Sequence, residues 1–249
     1  MTEEEIAAAA ALLAEARRGG TIIERLPVTP GTVAEAHAIQ DRVTALLGET
    51  VAAYKANVPA GAEPTRGVIY AGLIYPSPAR IAPRRVPHLG VEGEVAFRFI
   101  RDLPPRDAAY AADEVGASVV ALPAIEVVSG RFRDPRARPP LEQLADCIIN
   151  GAFVPGAAMA DWRHLDLPRL KVTLRVNGQT VLEQEASHPT GDPLGVAVAL
   201  VNMMRGAGGV RAGQMVTTGS WTGLRFLEPG DACAVRFEGL GGAEVTFAD

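Results

Sequence analysis

Three glutamates and a lysine are the residues of this 249-residue chain most able to do chemistry. In Val91-Glu-Gly-Glu-Val-Ala-Phe-Arg-Phe99 the apolar residues Val95, Phe97 and Phe99 alternate with Glu94, Ala96 and Arg98. Period 2 therefore puts Glu92 and Glu94 together on the other face of a strand. Two residues along a strand span about 6.6 Å, and carboxylates that close repel unless a cation or a proton intervenes. The same spacing also describes a half-exposed strand with two glutamates on its wet face. Glu126 is the only charge in Leu122-Pro-Ala-Ile-Glu-Val-Val128. Such a carboxylate is costly unless paired, with Arg131 or Arg133 for example, or bound to a metal. Three carboxylates without His or Cys form a hard-oxygen set, suited to Mg²⁺, Mn²⁺ or Ca²⁺ rather than zinc.

Lys55, in Ala52-Ala-Tyr-Lys-Ala-Asn57, is a general acid/base candidate if burial or a nearby metal lowers its pKa. Alternatively it points to water, as most strand lysines do. Val216-Thr-Thr-Gly-Ser-Trp-Thr-Gly223 would offer backbone N–H groups and hydroxyls to an anion, or would be a plain turn. His37, His88, His164 and His188 show no ligand spacing, and neither a phosphate-binding glycine loop nor a G-x-S-x-G elbow occurs. Nucleotide binding and serine-hydrolase chemistry are therefore disfavoured.

The elements that must position these groups are legible in outline. Thr2 with Glu5 and Thr32 with Glu35 are capping boxes for two helices, closed by Gly19-Gly20 and Gly48. Beyond residue 50, short apolar segments punctuated by Pro and Gly predict strands. They are Val51–Asn57, Val91–Arg101, Val119–Val128, Ala152–Ala158, Leu170–Val176, Val181–Ala186, Met215–Gly219, Ala232–Phe237 and Ala243–Phe247. Helices are expected near Asp107–Ser118 and from Asp192 to about Arg205, and Asn177-Gly178 marks a hairpin. The fold class is α+β: a helical region over 1–50 and a β-rich body over 51–249, as one integrated unit.

A net charge of −5 leaves no basic footprint for nucleic acid or a membrane surface. Only Cys147 and Cys233 occur, which excludes a disulfide scaffold and fits a reducing compartment. The longest apolar run, Ile6 to Ala14, is too short to span a bilayer and follows three glutamates. The chain reads as soluble and cytoplasmic.

In their order these pieces resemble the fumarylacetoacetate hydrolase superfamily, and within it the 2-keto-4-pentenoate hydratase and 4-oxalocrotonate decarboxylase branch. The matching segments are Tyr54-Lys55, Glu92-Gly-Glu94-Val-Ala-Phe97, Pro123-Ala-Ile-Glu126-Val-Val and Arg131-Phe132. They continue through Leu144-Ala-Asp146, Asp192 to Asn202, Ala212-Gly213, Thr218-Gly-Ser-Trp-Thr-Gly223, Pro229-Gly-Asp231 and Phe237 to Gly241.

The resemblance implies a helical N-terminal region followed by a β-rich roll or barrel. It implies Mg²⁺ or Mn²⁺ on Glu92, Glu94 and Glu126, chelating the carboxylate and 2-oxo oxygens of a 2-keto acid and stabilising an enolate. Lys55 matches the family's lysine as proton carrier, and Thr218, Gly219 and Ser220 match the substrate-carboxylate loop. The implied activity is hydration of a small unsaturated 2-keto acid such as 2-hydroxypenta-2,4-dienoate, as in aromatic-compound degradation. Decarboxylation of a 4-oxalocrotonate-like acid is the enzymatic alternative. A partner subunit with a vestigial site is the non-catalytic one. A homo-oligomer is implied, with a related hydratase or decarboxylase as a further partner.

Three segments depart from the family pattern. Ala53 and Asn57 flank Lys55 where the family has glycines, Ser129-Gly130 stands where an Asp is usual, and Ala145-Asp-Cys-Ile-Ile-Asn150 replaces an A-D-N-A-S-S-like stretch.

Overall fold

A computed structural model describes every residue of the chain except 186, 187 and 189. Helices α1 (Glu3–Gly19) and α2 (Val33–Leu47) open the chain, each with a complete capping box and a left-handed glycine, Gly20 or Gly48, at its end. Shorter helices follow at α3 (Ala112–Gly116), α4 (Pro140–Ala145) and α5 (Pro193–Met204). The strands are β1 (Val51–Asn57), β2 (Thr65–Tyr70), β3 (Ala79–Ile81), β4 (Gly90–Phe99), β5 (Val119–Val128) and β6 (Asn150–Pro155). They continue as β7 (Lys171–Val176), β8 (Gln179–Glu185), β9 (Met215–Ser220), β10 (Arg225–Phe226), β11 (Ala232–Phe237) and β12 (Gly241–Phe247). Among the described residues, no helix is long and apolar enough to cross a membrane.

One sheet has the order β2-β1-β9-β4-β5-β6, with β10 paired to the start of β4; the other runs β3-β12-β11-β7-β8. Two pairs are parallel, β1 with β9 and β3 with β12, so both sheets are mixed. The larger sheet curls into a half-barrel. The chain leaving β2 drives this closure: Ile74 bridges Phe153 on β6, and the Tyr75 and Ser77 N–H groups donate to the Phe153 and Pro155 carbonyls at 2.9 and 3.1 Å. The two ends of the sheet are thereby drawn together.

Both faces of the curled sheet are covered. Outside it, Val91, Val95, Phe97, Phe99, Ile125 and Val127 pack in one core with Val235, Phe237, Val245 and Phe247 of the second sheet and with Leu200 of α5. Inside it, a smaller apolar floor is built from Ala53, Ile69, Ala96, Leu122, Ala124, Phe153 and Met215. A third cluster joins α1 and α2 to Phe132 and to Leu144 of α4.

The α+β reading, with a helical start and a β-rich barrel-like body, matches this architecture. Three local expectations are corrected. The helix expected over Asp107–Ser118 is confined to α3, because the preceding segment is otherwise engaged. The Arg106 guanidinium takes the carbonyls of Ala108 and Ala109, and Asn202 exchanges hydrogen bonds with the Tyr110 backbone. The strand expected at Ala152–Ala158 begins at Asn150 and stops at Pro155. β2, β3 and α4 have no counterpart in the sequence reading. Ala186, expected to end β8, lies outside the described residues. Asn177-Gly178 forms the expected turn, with φ of 50° and 79° matching the positive values that a type I′ hairpin needs.

Candidate metal centre

Alternation along the half-barrel carries each strand from the apolar floor to a polar layer. Two residues from Ala53, Ala96, Ala124 and Met215 on the same face stand Lys55, Glu94, Glu126 and Thr217. β4 and β5 put Glu92 directly opposite Glu126, and β1 puts Lys55 opposite Thr217 of β9. The alanines matter here, because a large side chain at any of them would fill the space into which the charged groups turn.

One carboxylate oxygen from each of Glu92, Glu94 and Glu126 lies within 4.8 Å of the others. Lys55 Nζ stands 2.9 Å from Glu126 Oε2 and 3.8 Å from Glu92 Oε2. Glu126 is thus paired with Lys55 rather than with Arg131 or Arg133; the Arg131 N–H instead donates to Asp146, and Arg133 pairs with Glu24. The Glu94 and Glu126 side chains are fully buried, whereas Glu92 and Lys55 are 16% and 14% exposed. The site therefore opens on their side. Glu94 Oε2 accepts from the Gly219 N–H at 2.8 Å and from the Thr217 hydroxyl, and Glu126 Oε1 accepts from Asn150 Nδ2 at 3.1 Å. Glu94 Oε1 is buried with no donor among the described residues.

Three negative groups thus face one positive group in a water-poor pocket. Burial, joined by the charges of Glu126 and Glu92, pushes the Glu94 carboxyl well above the usual carboxylate range against the pull of Lys55 and Thr217. Burial likewise raises Glu126, with Lys55 opposing it. Converging carboxylates, one undonated buried oxygen and this excess of negative charge suit a hard divalent cation.

The expected lowering of the Lys55 pKa belongs to a site that holds a divalent cation; the carboxylates by themselves act the other way. Burial pulls it down, but the charges of Glu126, Glu92 and Glu94 outweigh burial and hold its ammonium above the ordinary lysine value.

The loop residues are not equivalent. Thr218 donates its hydroxyl to the Val95 carbonyl at 2.7 Å, which commits it to the backbone. Gly219, at φ 117°, turns its N–H onto Glu94; a side chain would be strained there. Ser220 keeps a buried hydroxyl with no partner among the described residues, so of the three it has a free group to offer a ligand.

Thr217 and Asn150, which hold Glu94 and Glu126, were missed in the sequence. Thr217 could have been found, since it lies one alternation from apolar Met215 in a buried strand. Asn150 could not. It follows Cys147, Ile148 and Ile149, all at φ between 53° and 58°, a left-handed turn that no residue type there announces. Beside Gly130, Asp146 Oδ2 accepts from the Arg131 N–H at 2.5 Å and its Oδ1 from Arg17 at 2.6 Å.

A curled mixed sheet with a helical start and a carboxylate triad inside its mouth defines the class of protein. The family model for fumarylacetoacetate (FAA) hydrolase C-terminal matches residues 49–248, and the chain belongs to this family of enzymes. It is 30% identical to a 2-keto-4-pentenoate hydratase of Burkholderia vietnamiensis, with 99% of each chain covered. It is 28% identical to a 4-oxalocrotonate decarboxylase of Pseudomonas putida over 54% of this chain and 51% of that one. Among solved structures, the 4-oxalocrotonate decarboxylase of Pseudomonas putida G7 complexed with magnesium and adipate superposes with a TM-score of 0.84 at 22% identity, over 99% of this chain and 98% of that one.

Proposed function

We propose that the chain is a divalent-metal-dependent lyase that hydrates a small unsaturated 2-keto acid of the 2-hydroxypenta-2,4-dienoate type. The observation that carries this reading is the convergence of Glu92, Glu94 and Glu126 within 4.8 Å, with Lys55 Nζ in contact with the same group. The full-length similarity to a 2-keto-4-pentenoate hydratase supports the substrate class.

Glu92, Glu94 and Glu126 would hold Mg²⁺ or Mn²⁺. When bound, the ion supplies charge neutralisation and Lewis-acid polarisation to the oxygens of a 2-keto acid. Thr217, the Gly219 N–H and Asn150 hold the two buried carboxylates in place and restrict their rotation. The Ser220 hydroxyl is available to the substrate carboxylate. Hydration adds a proton to one carbon and a hydroxyl to another, so some group must move a proton at carbon. Carboxylates engaged as ligands are poor bases, which leaves Lys55 Nζ as the proton carrier on the exposed side of the cluster.

Incubation with 2-hydroxypenta-2,4-dienoate, its 5-methyl analogue and 4-oxalocrotonate, with Mg²⁺ or Mn²⁺, tests the proposal by product analysis. The 4-hydroxy-2-keto acid is the expected product. Release of CO₂ from 4-oxalocrotonate without hydration would reassign the chain as a decarboxylase, and silence on every compound would favour a non-catalytic subunit.

A further inference from the structure

Away from the carboxylates, a cavity of about 520 Å³ opens where β2 and β6 approach one another beside the end of α1. None of Lys55, Glu92, Glu94 and Glu126 lines it. Its wall carries five guanidinium groups, Arg17, Arg18, Arg84, Arg85 and Arg131, against one carboxylate, Glu49. The volume falls within the range of small-molecule sites.

Two of the five charges are already answered: Arg17 pairs with Asp146 at 2.6 Å, and Arg84 pairs with Asp249. The guanidinium groups of Arg18, Arg85 and Arg131 form no ion pair with a carboxylate among the described residues, although the Arg131 backbone N–H donates to Asp146. Arg18 donates to the Leu46 carbonyl, and Arg85 approaches the Tyr75 hydroxyl at 3.4 Å.

Arg131 decides the matter. It is only 6% exposed, its Nη2 donates to the Ser129 carbonyl at 2.6 Å, and its Nε is buried without an acceptor among the described residues. A buried charged donor left unpaired is among the costlier arrangements in a protein. Burial and the charge of Arg17 act against the Arg131 guanidinium and outweigh the opposing pull of Asp146 and Cys147; a bound anion would add to that pull.

We propose that this cavity is an anion site for a small doubly charged oxyanion, held by Arg131 Nε and by the side chains of Arg18 and Arg85. A planar guanidinium matches carboxylate and phosphate oxygens alike, so a dicarboxylate and a phosphorylated metabolite share the required chemistry.

Calorimetric titration of the chelator-treated full-length chain with inorganic phosphate and, separately, with succinate tests the proposal. One probe ion per chain is expected. Tighter phosphate binding would assign a phosphorylated ligand, and tighter succinate binding a dicarboxylate. An Arg18→Gln/Arg85→Gln double variant should weaken binding at least about tenfold while the ligand-free melting temperature stays unchanged. Arg131→Lys, which keeps a charge but removes Nε, should weaken it similarly. Three results would overturn the proposal: no binding of either probe, undiminished binding in the double variant, or binding abolished by Lys55→Met.

Discussion

The two faces of β4 put opposite demands on the same ten residues. Outward, Val91, Val95, Phe97 and Phe99 lie in a dry core between the half-barrel and the second sheet. Inward, Glu92 and Glu94 stand beyond Ala96, with like charges as neighbours. The outer face lowers the free energy of the fold through apolar burial. The inner face raises it, because buried carboxylates lose water and repel one another. Stability and chemistry are thus divided across a single strand, and the inner face is the one that a ligand would relieve.

The largest break in this comparison comes from the outer face. Phe97 is fully buried and meets Trp162 edge-on with ring centroids 5.3 Å apart. Phe97→Ala should cost about 3–5 kcal/mol in denaturant unfolding. If metal affinity per folded molecule is unchanged, the two faces are independent; if it falls in parallel, the division is wrong.

Lys55 sharpens the inner side. Lys55→Met should lower kcat by about 10²–10⁴-fold while metal binding persists. Lys55→Arg separates proton transfer from charge, since an arginine keeps the charge without a readily movable proton. A fast Arg variant would reduce Lys55 to an electrostatic partner, and a fast Met variant would remove it from the reaction.

How far this division was legible follows from what alternation can encode. Glu92 and Glu94 stood out because period 2 puts them together on one face of a strand, and Glu126 because it is the only charge in an apolar segment. Lys55 was visible only as a charge in a strand, and its raised pKa was not, because that depends on three carboxylates brought from β4 and β5. The roles of Thr217 and Asn150 were hidden for a related reason: strand register and a left-handed turn, rather than residue type, bring them onto Glu94 and Glu126. β2 went unseen although Gly67 is central to it. A Cβ there would fall 2.4 Å from the Cys147 carbonyl oxygen, a constraint from distant chain that local pattern cannot carry.

A smaller effect lies outside both faces, where α2 meets β2. His37 Nε2 accepts from the Arg66 N–H at 3.1 Å. Burial and the Arg66 charge hold its pKa down at about 4, against the opposing pull of Asp41 and of that hydrogen bond. The unfolded chain therefore binds the proton that the folded chain refuses, so this contribution is complete above about pH 6.5 and is lost as pH falls toward 4. With the ring partly exposed, the loss should be on the order of 1–2 kcal/mol. His37→Gln, which retains an acceptor, should flatten that part of the stability profile. An unchanged profile would assign the slope to other groups.

The account turns on whether the three glutamates bind a divalent cation. Calorimetric titration of the chelator-stripped chain with Mn²⁺, and then Mg²⁺, measures this directly, beside Glu94→Gln and Glu126→Gln. Wild type should bind one ion per chain. Each variant should weaken binding by at least about tenfold; Glu94→Gln should also melt no lower than wild type without metal, since it removes one of three mutually repelling carboxylates, whereas Glu126→Gln also gives up the Lys55 ion pair. Equal affinity in wild type and both variants, or no binding by wild type, would contradict the account.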